Sequence, residues 1–133
     1  MIIVPYRITE KFIRDHPELT FIYSSDTRNK GGLGMQWFIA GPANSFPVPV
    51  LFKFCANPEY FRDEFHDFNK KATDIIDEYL SIIPKNKPII VPPKIGLGCA
   101  RMLEYCPITY EYLRMELNKI MSHDFKIDYT NIY

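Results

Sequence analysis

PIIVPPKIGLGCAR, residues 88–101, is the stretch on which the fold turns. Ile89, Ile90 and Val91 make a short apolar run between prolines, the pattern of a buried strand over Pro88–Pro93. Gly96 and Gly98 follow in the loop Lys94–Cys106. Beyond it, Thr109–Met121 sets Tyr110, Leu113, Leu117, Ile120 and Met121 on one helical face. Phe125–Tyr129 (FKIDY) alternates and reads as a last strand. Strand, glycine turn, helix and strand in this order are the units of an α/β fold with a mostly parallel or mixed central sheet.

The same alternation runs toward the N-terminus. Leu19–Ser25 (LTFIYSS) is β-branched and aromatic and reads as a strand, with Met1–Val4 as a short edge strand. Between them Thr9 caps a short helix, Glu10–Arg14, closed before Pro17. Asp26–Gly34 (DTRNKGGLG) is a polar glycine loop, and Met35–Ala40 a short helix stopped by Gly41-Pro42. Phe46–Phe54 (FPVPVLFKF) is extended, but Pro47 and Pro49 make it irregular or place it at an edge. Phe61–Ile83 reads as one long helix, since Phe61, Phe65, Phe68, Ala72, Ile75, Ile76, Tyr79, Leu80 and Ile83 recur every three or four residues. Its carboxylates, Asp63, Glu64, Asp67, Asp74, Asp77 and Glu78, fall on the solvent face, and Pro84 ends it. No repeat or linker divides the chain, so residues 1–133 read as a single three-layer α/β domain.

Composition excludes several function classes. Sixteen basic and sixteen acidic residues give zero net charge, so no nucleic-acid partner is expected. Hydrophobic residues make up 47%, enough for a core rather than disorder. No apolar run approaches the roughly 20 residues that span a bilayer, and Met1–Tyr6 is too short for a signal-peptide core. Three cysteines, an odd number without a Cys-X-X-Cys pair, fit a reducing, cytoplasmic setting. His16, His66 and His123 are scattered, so neither metal nor cofactor is expected. A dimer is permitted but not indicated.

Six glycines stand against eleven prolines, and five of the six lie in two clusters, Gly31-Gly32-Leu33-Gly34 and Gly96-Leu97-Gly98. Each cluster follows a strand and precedes a helix. Backbone amides in such turns converge on anions, helped by the helix dipole. Neither spacing is a P-loop or dinucleotide fingerprint. In an α/β sheet the ligand crevice lies beyond the carboxyl ends of the strands, where both loops fall.

The segment IIVPPKIGLGCARMLEY, with its following helix and FKIDYTNIY, resembles the C-terminal half of a macro domain. The branch it resembles includes ADP-ribose 1″-phosphate phosphatases and ADP-ribosyl-glutamate hydrolases, with a strand, Pro-Arg-Ile-Gly-X-Gly, a helix and a short final strand. Small macro-like proteins of bacteria and phages are similar in segments matching Gly32–Gln36, Asn44–Leu51 and Gly96–Gly98. The resemblance covers about residues 19–129 and implies a macro-like fold that binds ADP-ribose in a cleft over the sheet. It implies that Ser25 and Asp26 lie on the adenine or ribose side. Gly31, Gly32, Gly34 and Met35 would approach the distal ribose and pyrophosphate. Ile95, Gly96, Leu97, Gly98, Cys99 and Ala100 would wrap the diphosphate, and Tyr129 or Asn131 would pack near the adenine.

Departures from the family pattern bear on catalysis. Hydrolases of this branch use a lysine after the middle strand or an aspartate in the second loop. This chain has Val50-Leu51 at the first position, with Lys53 two residues on, and Cys99-Ala100 at the second. Lys53 and Cys99 are therefore the remaining catalytic candidates; Cys99 would need a lowered pKa and a paired histidine. The reading favours a sensor or sequestering protein for an ADP-ribose-like nucleotide, of phage counter-defence type. The alternatives are a hydrolase with displaced catalytic residues and an interaction module with vestigial loops. Phe52 and Tyr60 could stack on a base, against their reading as core.

Overall fold

The computed structural model describes residues 1–6, 8–27, 41–63, 66–67, 70–98 and 100–131. The chain runs β1 (Ile2–Pro5), α1 (Glu10–Asp15), β2 (Thr20–Asp26), β3 (Ser45–Lys53), β4 (Glu59–Tyr60), β5 (His66–Asp67) and β6 (Lys70–Lys71). It continues through α2 (Ala72–Ser81), β7 (Ile89–Ile90), α3 (Met102–Tyr105), α4 (Pro107–Ile120) and β8 (Phe125–Asp128), ending in a 3-10 turn, Tyr129–Asn131. Four strands form one sheet in the order β4-β3-β2-β7. β2 is parallel to both its neighbours, and β4 is antiparallel to β3. The first and last strands, β1 and β8, pair in parallel, and Ser122 N–H donates to Ile89 O at 2.9 Å as the chain passes from β7's side into β8. The fold is thus an α/β domain with mixed and parallel sheets, as the alternation predicts.

β2 shows how the layers are built. All seven of its residues are buried. Successive side chains of a strand point to opposite faces. Phe21 and Tyr23 join Val4, Ile13 of α1, Leu19 and Ile90 in one cluster. Ile22 points the other way, to Val48, Val50 and Phe52, to Ile75, Ile76 and Leu80 of α2, and to Leu113 and Leu117 of α4. Ile89 and Ile90 of β7 divide between the same two clusters. Helices therefore cover both faces, which makes three layers.

The start of α1 follows its capping signal: Thr9 Oγ accepts from Phe12 N–H at 3.0 Å. Other expectations need correction. β7 is only Ile89–Ile90, paired with Thr20 and Phe21, not the whole of Pro88–Pro93. β3 is a nine-residue strand paired with β2 from Ser45 to Leu51, despite Pro47 and Pro49. β4 joins its other side only at Leu51 and Lys53. Among the described residues, the proline stretch therefore pairs on one side, and a missing N–H can face outward without loss. The expected helix Met35–Ala40 lies outside the described residues.

The largest correction concerns Phe61–Ile83. Among the described residues of this stretch, only Ala72–Ser81 is helical. Phe61 is buried after β4, edge-on to Phe52 with ring centroids 4.7 Å apart. Asp63 turns to α4, and His66–Asp67 pairs antiparallel with Lys70–Lys71. Phe61 thus reaches the core from extended chain, so its spacing to the later apolar residues needs no helix. Phe65 and Phe68 lie outside the described residues.

Candidate functional site

Topology marks where an α/β sheet would carry a ligand crevice. The chain leaves β2 toward β3 on one side. It leaves β7 through α3 and α4 toward β8, whose partner is β1. Two adjacent parallel strands with diverging exits leave a crevice at their carboxyl ends. Both glycine-bearing segments follow these two strands, the second leaving β7 after Ile90, opposite Phe21, and the first leaving β2 after Asp26. Gly31, Gly32, Gly34 and Met35 of the first, and Cys99 of the second, lie outside the described residues.

Ser25 and Asp26 end β2, and both are fully buried. A buried carboxylate needs hydrogen-bond donors to offset its desolvation. Asp26 Oδ2 accepts from Phe54 N–H at 2.7 Å. Thr27 Oγ donates to Phe52 O at 2.9 Å, and Thr27 N–H donates to Leu51 O at 3.3 Å. The register slips here, with Asp26 opposite Leu51 and Val50 passed over. The carboxyl ends of β2 and β3 are therefore fastened into one rim.

The second loop is a series of turns. Ile95 N–H donates to Pro92 O, Leu97 N–H to Lys94 O, Arg101 N–H to Gly98 O and Met102 N–H to Gly96 O, at 3.0–3.3 Å. Gly96 has φ +84°, a region that favours glycine, and a Cβ built there would lie 2.6 Å from Met102 Sδ. Gly98 differs: a Cβ there would meet no atom within 4 Å. Ile95 and Ala100 are buried, whereas Leu97 and Gly98 are exposed at the tip, with Lys94 exposed before them. Ile95 and Leu97 amides, which the macro resemblance would turn toward a diphosphate, thus close turns within the loop.

Tyr129 belongs to a different part of the molecule. It lies on the turn after β8, and its ring packs on Tyr6 at 5.4 Å. The open hollow beside it is lined by Ile3, Lys126, Ile127, Asp128 and Thr130, all from the β1–β8 ladder and its turn. Lys53 is exposed at the end of β3, opposite Glu59, while its neighbour Phe52 points into the core. Tyr60 is stacked on Tyr105 at 4.2 Å, and the Arg62 guanidinium lies 4.5 Å from the Tyr105 centroid. Phe52 is thus a core residue, and one face of Tyr60 is taken.

Sequence reasoning missed Asp63, which it read as a solvated carboxylate. Asp63 Oδ1 accepts from Thr109 N–H at 2.8 Å and Thr109 Oγ at 2.9 Å, and Oδ2 accepts from Ile108 N–H at 3.3 Å. The amide end of α4 is therefore occupied by a carboxylate of the same chain. No local signal could reveal a partner 46 residues away. Beside it, burial pushes the Cys106 thiol up to about 12, with Asp63 adding and Arg62 opposing. Cys106 is a packed thiol, not a nucleophile. Among the described residues, no group of three or more His, Cys, Asp or Glu could hold a metal ion, and no helix is long and apolar enough to cross a membrane.

Residues 3–116 match the model of a family described as a family of unknown function (DUF7831). No curated protein and no solved structure matches the chain.

Proposed function

The chain belongs to this family of unknown function, which brings no activity with it, and we propose from the chain's own residues that it binds an ADP-ribose-like nucleotide in the crevice between β2 and β7. The observation that carries the reading is the exit of both glycine-bearing loops from adjacent parallel strands whose connections diverge. The resemblance of residues 89–105 to the macro-domain loop supports the choice of ligand. The diphosphate would lie over the Ile95–Gly98 tip, and the role would be that of a sensor or sequestering protein. Lys53, on the solvent side opposite Glu59, has no part in this reading.

Calorimetry against ADP-ribose, NAD, cyclic dinucleotides and cyclic ADP-ribose isomers tests it. Gly98→Glu is the matched variant. Its side chain has room, so the protein should fold as before while a carboxylate at the tip repels a phosphate. Binding of ADP-ribose lost in this variant is the expected result. Absence of heat with every nucleotide, or equal affinity in the variant, overturns the reading.

A further inference from the structure

The parallel strands β2, β3 and β7 start at the end of the sheet away from the glycine loops, and a second hollow lies there. Thr20 N–H donates to Pro88 O and Phe21 N–H to Asn44 O, both at 2.9 Å, so these two amides are spent on joining the strand starts. The hollow measures about 340 Å³, enough for a small molecule. Thr20 lines it from β2, Phe46 from β3, and Pro84, Asn86 and Lys87 from the turn between α2 and β7. Pro17 lines it from the turn after α1.

Thr20 is the anomaly of this hollow. Only 2% of it is exposed, yet its hydroxyl makes no hydrogen bond among the described residues. Side chains alternate along a strand, so Thr20 shares the face of Ile22, and Phe46 is the residue opposite Ile22 on β3. Thr20 and Phe46 thus form adjoining parts of one wall. A buried hydroxyl without a partner costs stability, and native folds usually supply one. Lys87 Nζ donates to Pro17 O at 2.8 Å, which anchors the ammonium between two lining residues and leaves two of its N–H donors. The exposed Asn86 amide makes no side-chain hydrogen bond among the described residues. No lining residue is acidic among those described. Donors from a hydroxyl, an ammonium and an amide, set beside the apolar surfaces of Pro17, Phe46 and Pro84, suit an anion with an apolar body.

We propose that this hollow binds a small carboxylate with a flat apolar body. The carboxylate would accept from the Thr20 hydroxyl and the Lys87 ammonium, and the body would lie on Phe46 and Pro84. The site is separate from the crevice beyond the carboxyl ends of β2 and β7 and does not depend on that reading.

The experiment titrates isotope-labelled wild type, Thr20→Val and Lys87→Met with sodium benzoate, followed by NMR, with benzamide as the uncharged control. Thermal melts without ligand come first. Valine matches threonine in branching and removes the hydroxyl. An unpaired hydroxyl predicts a melting temperature unchanged or raised in Thr20→Val, whereas a lowered one shows a structural hydroxyl and overturns the inference. Benzoate should shift the amide signals of Thr20, Phe46 and Asn86 to saturation, and benzamide should shift them much less. Affinity should fall roughly tenfold in Thr20→Val, the range of a hydrogen bond to a charged group, and roughly threefold in Lys87→Met, the range of an exposed ion pair. Shifts that never saturate, that gather elsewhere on the chain or that benzamide reproduces overturn the inference, as does equal affinity in all three proteins. If Thr20→Val does not fold, unaltered affinity in Lys87→Met does the same. Gly98→Glu should bind benzoate as wild type does; loss of binding there puts the anion at the glycine loop and overturns the inference.

Discussion

Replacing Gly96 by alanine tests whether the second loop depends on glycine for conformation or merely tolerates it. Gly96 has φ +84°, and an L-residue in left-handed territory loses about 1–2 kcal/mol. The new methyl would also lie 2.6 Å from Met102 Sδ and 3.4 Å from Tyr110 Cδ1. Met102 is fully buried, so its sulfur can move only into packed surroundings. Methionine is the most adaptable core side chain, so the steric part belongs at the low end of overpacking, about 1 kcal/mol. The sum is about 2–3 kcal/mol, with backbone strain at least as large as the clash. For a chain of this length that lowers the melting temperature by roughly 6–15 °C.

Urea unfolding followed by far-UV circular dichroism measures it, with Gly98→Ala as the internal control. A methyl at Gly98 meets no atom, so that change should fall between neutral and about 1 kcal/mol stabilising. A double-mutant cycle with Met102→Ala isolates the clash. The double variant should be about 1 kcal/mol more stable than the two single losses predict, because the sulfur is gone. If Gly96→Ala and Gly98→Ala unfold within about 0.5 kcal/mol of each other, the loop reasoning fails.

Three further predictions follow from contacts remote in sequence. Asn44 Nδ2 lies 3.0 Å from each of the Ile13, His16 and Leu19 carbonyls, so Asn44→Leu should lose about 1–3 kcal/mol in urea unfolding and Asn44→Asp more, since a carboxylate there faces only acceptors. The Tyr112 hydroxyl donates to Asp77 Oδ1 at 2.5 Å, which holds its pKa above the ordinary 10.0. This bond joins α4 to α2 below pH 10 and is lost as the folded-state hydroxyl titrates at higher pH. The stability gap between wild type and Tyr112→Phe, under about 1 kcal/mol at so exposed a site, should be flat from roughly pH 6 to 9 and shrink above 10; a gap that persists at pH 11 counts against the assignment. Iodoacetamide at pH 8 followed by peptide mapping should label exposed Cys55 and spare Cys106 until urea unfolds the chain.

Features dictated by neighbours in sequence were legible; those dictated by distant partners were not. Thr9 caps the helix it precedes, and the apolar face of α4 shows in Leu113 and Leu117. Phe61 misleads because spacing records which residues are buried, not the conformation that buries them. It stacks edge-on against Phe52 from extended chain. Pro47 and Pro49 mislead in the opposite sense, because a missing N–H disrupts only a strand paired on that side. The candidate site divides in the same way. A strand followed by glycine indicates where the second loop leaves the sheet. That Ile95 and Leu97 amides bond back to Pro92 and Lys94 depends on a fold of the loop that composition does not encode.

That internal bonding bears on how any ligand could be held. Glycine loops are usually credited with anion binding because their amides converge. Here described amides of the loop close its own turns, the end of α4 is filled by Asp63, and the end of β2 is tied to β3 through Asp26 and Phe54. Bonds of this kind fix the described part of the rim before any ligand arrives, which reduces the ordering that binding would require. Gly98 keeps the tip open, and Gly96 lets Tyr110 and Met102 pack against the turn. Gly96→Ala should therefore harm stability and Gly98→Glu affinity, with little exchange between the two effects.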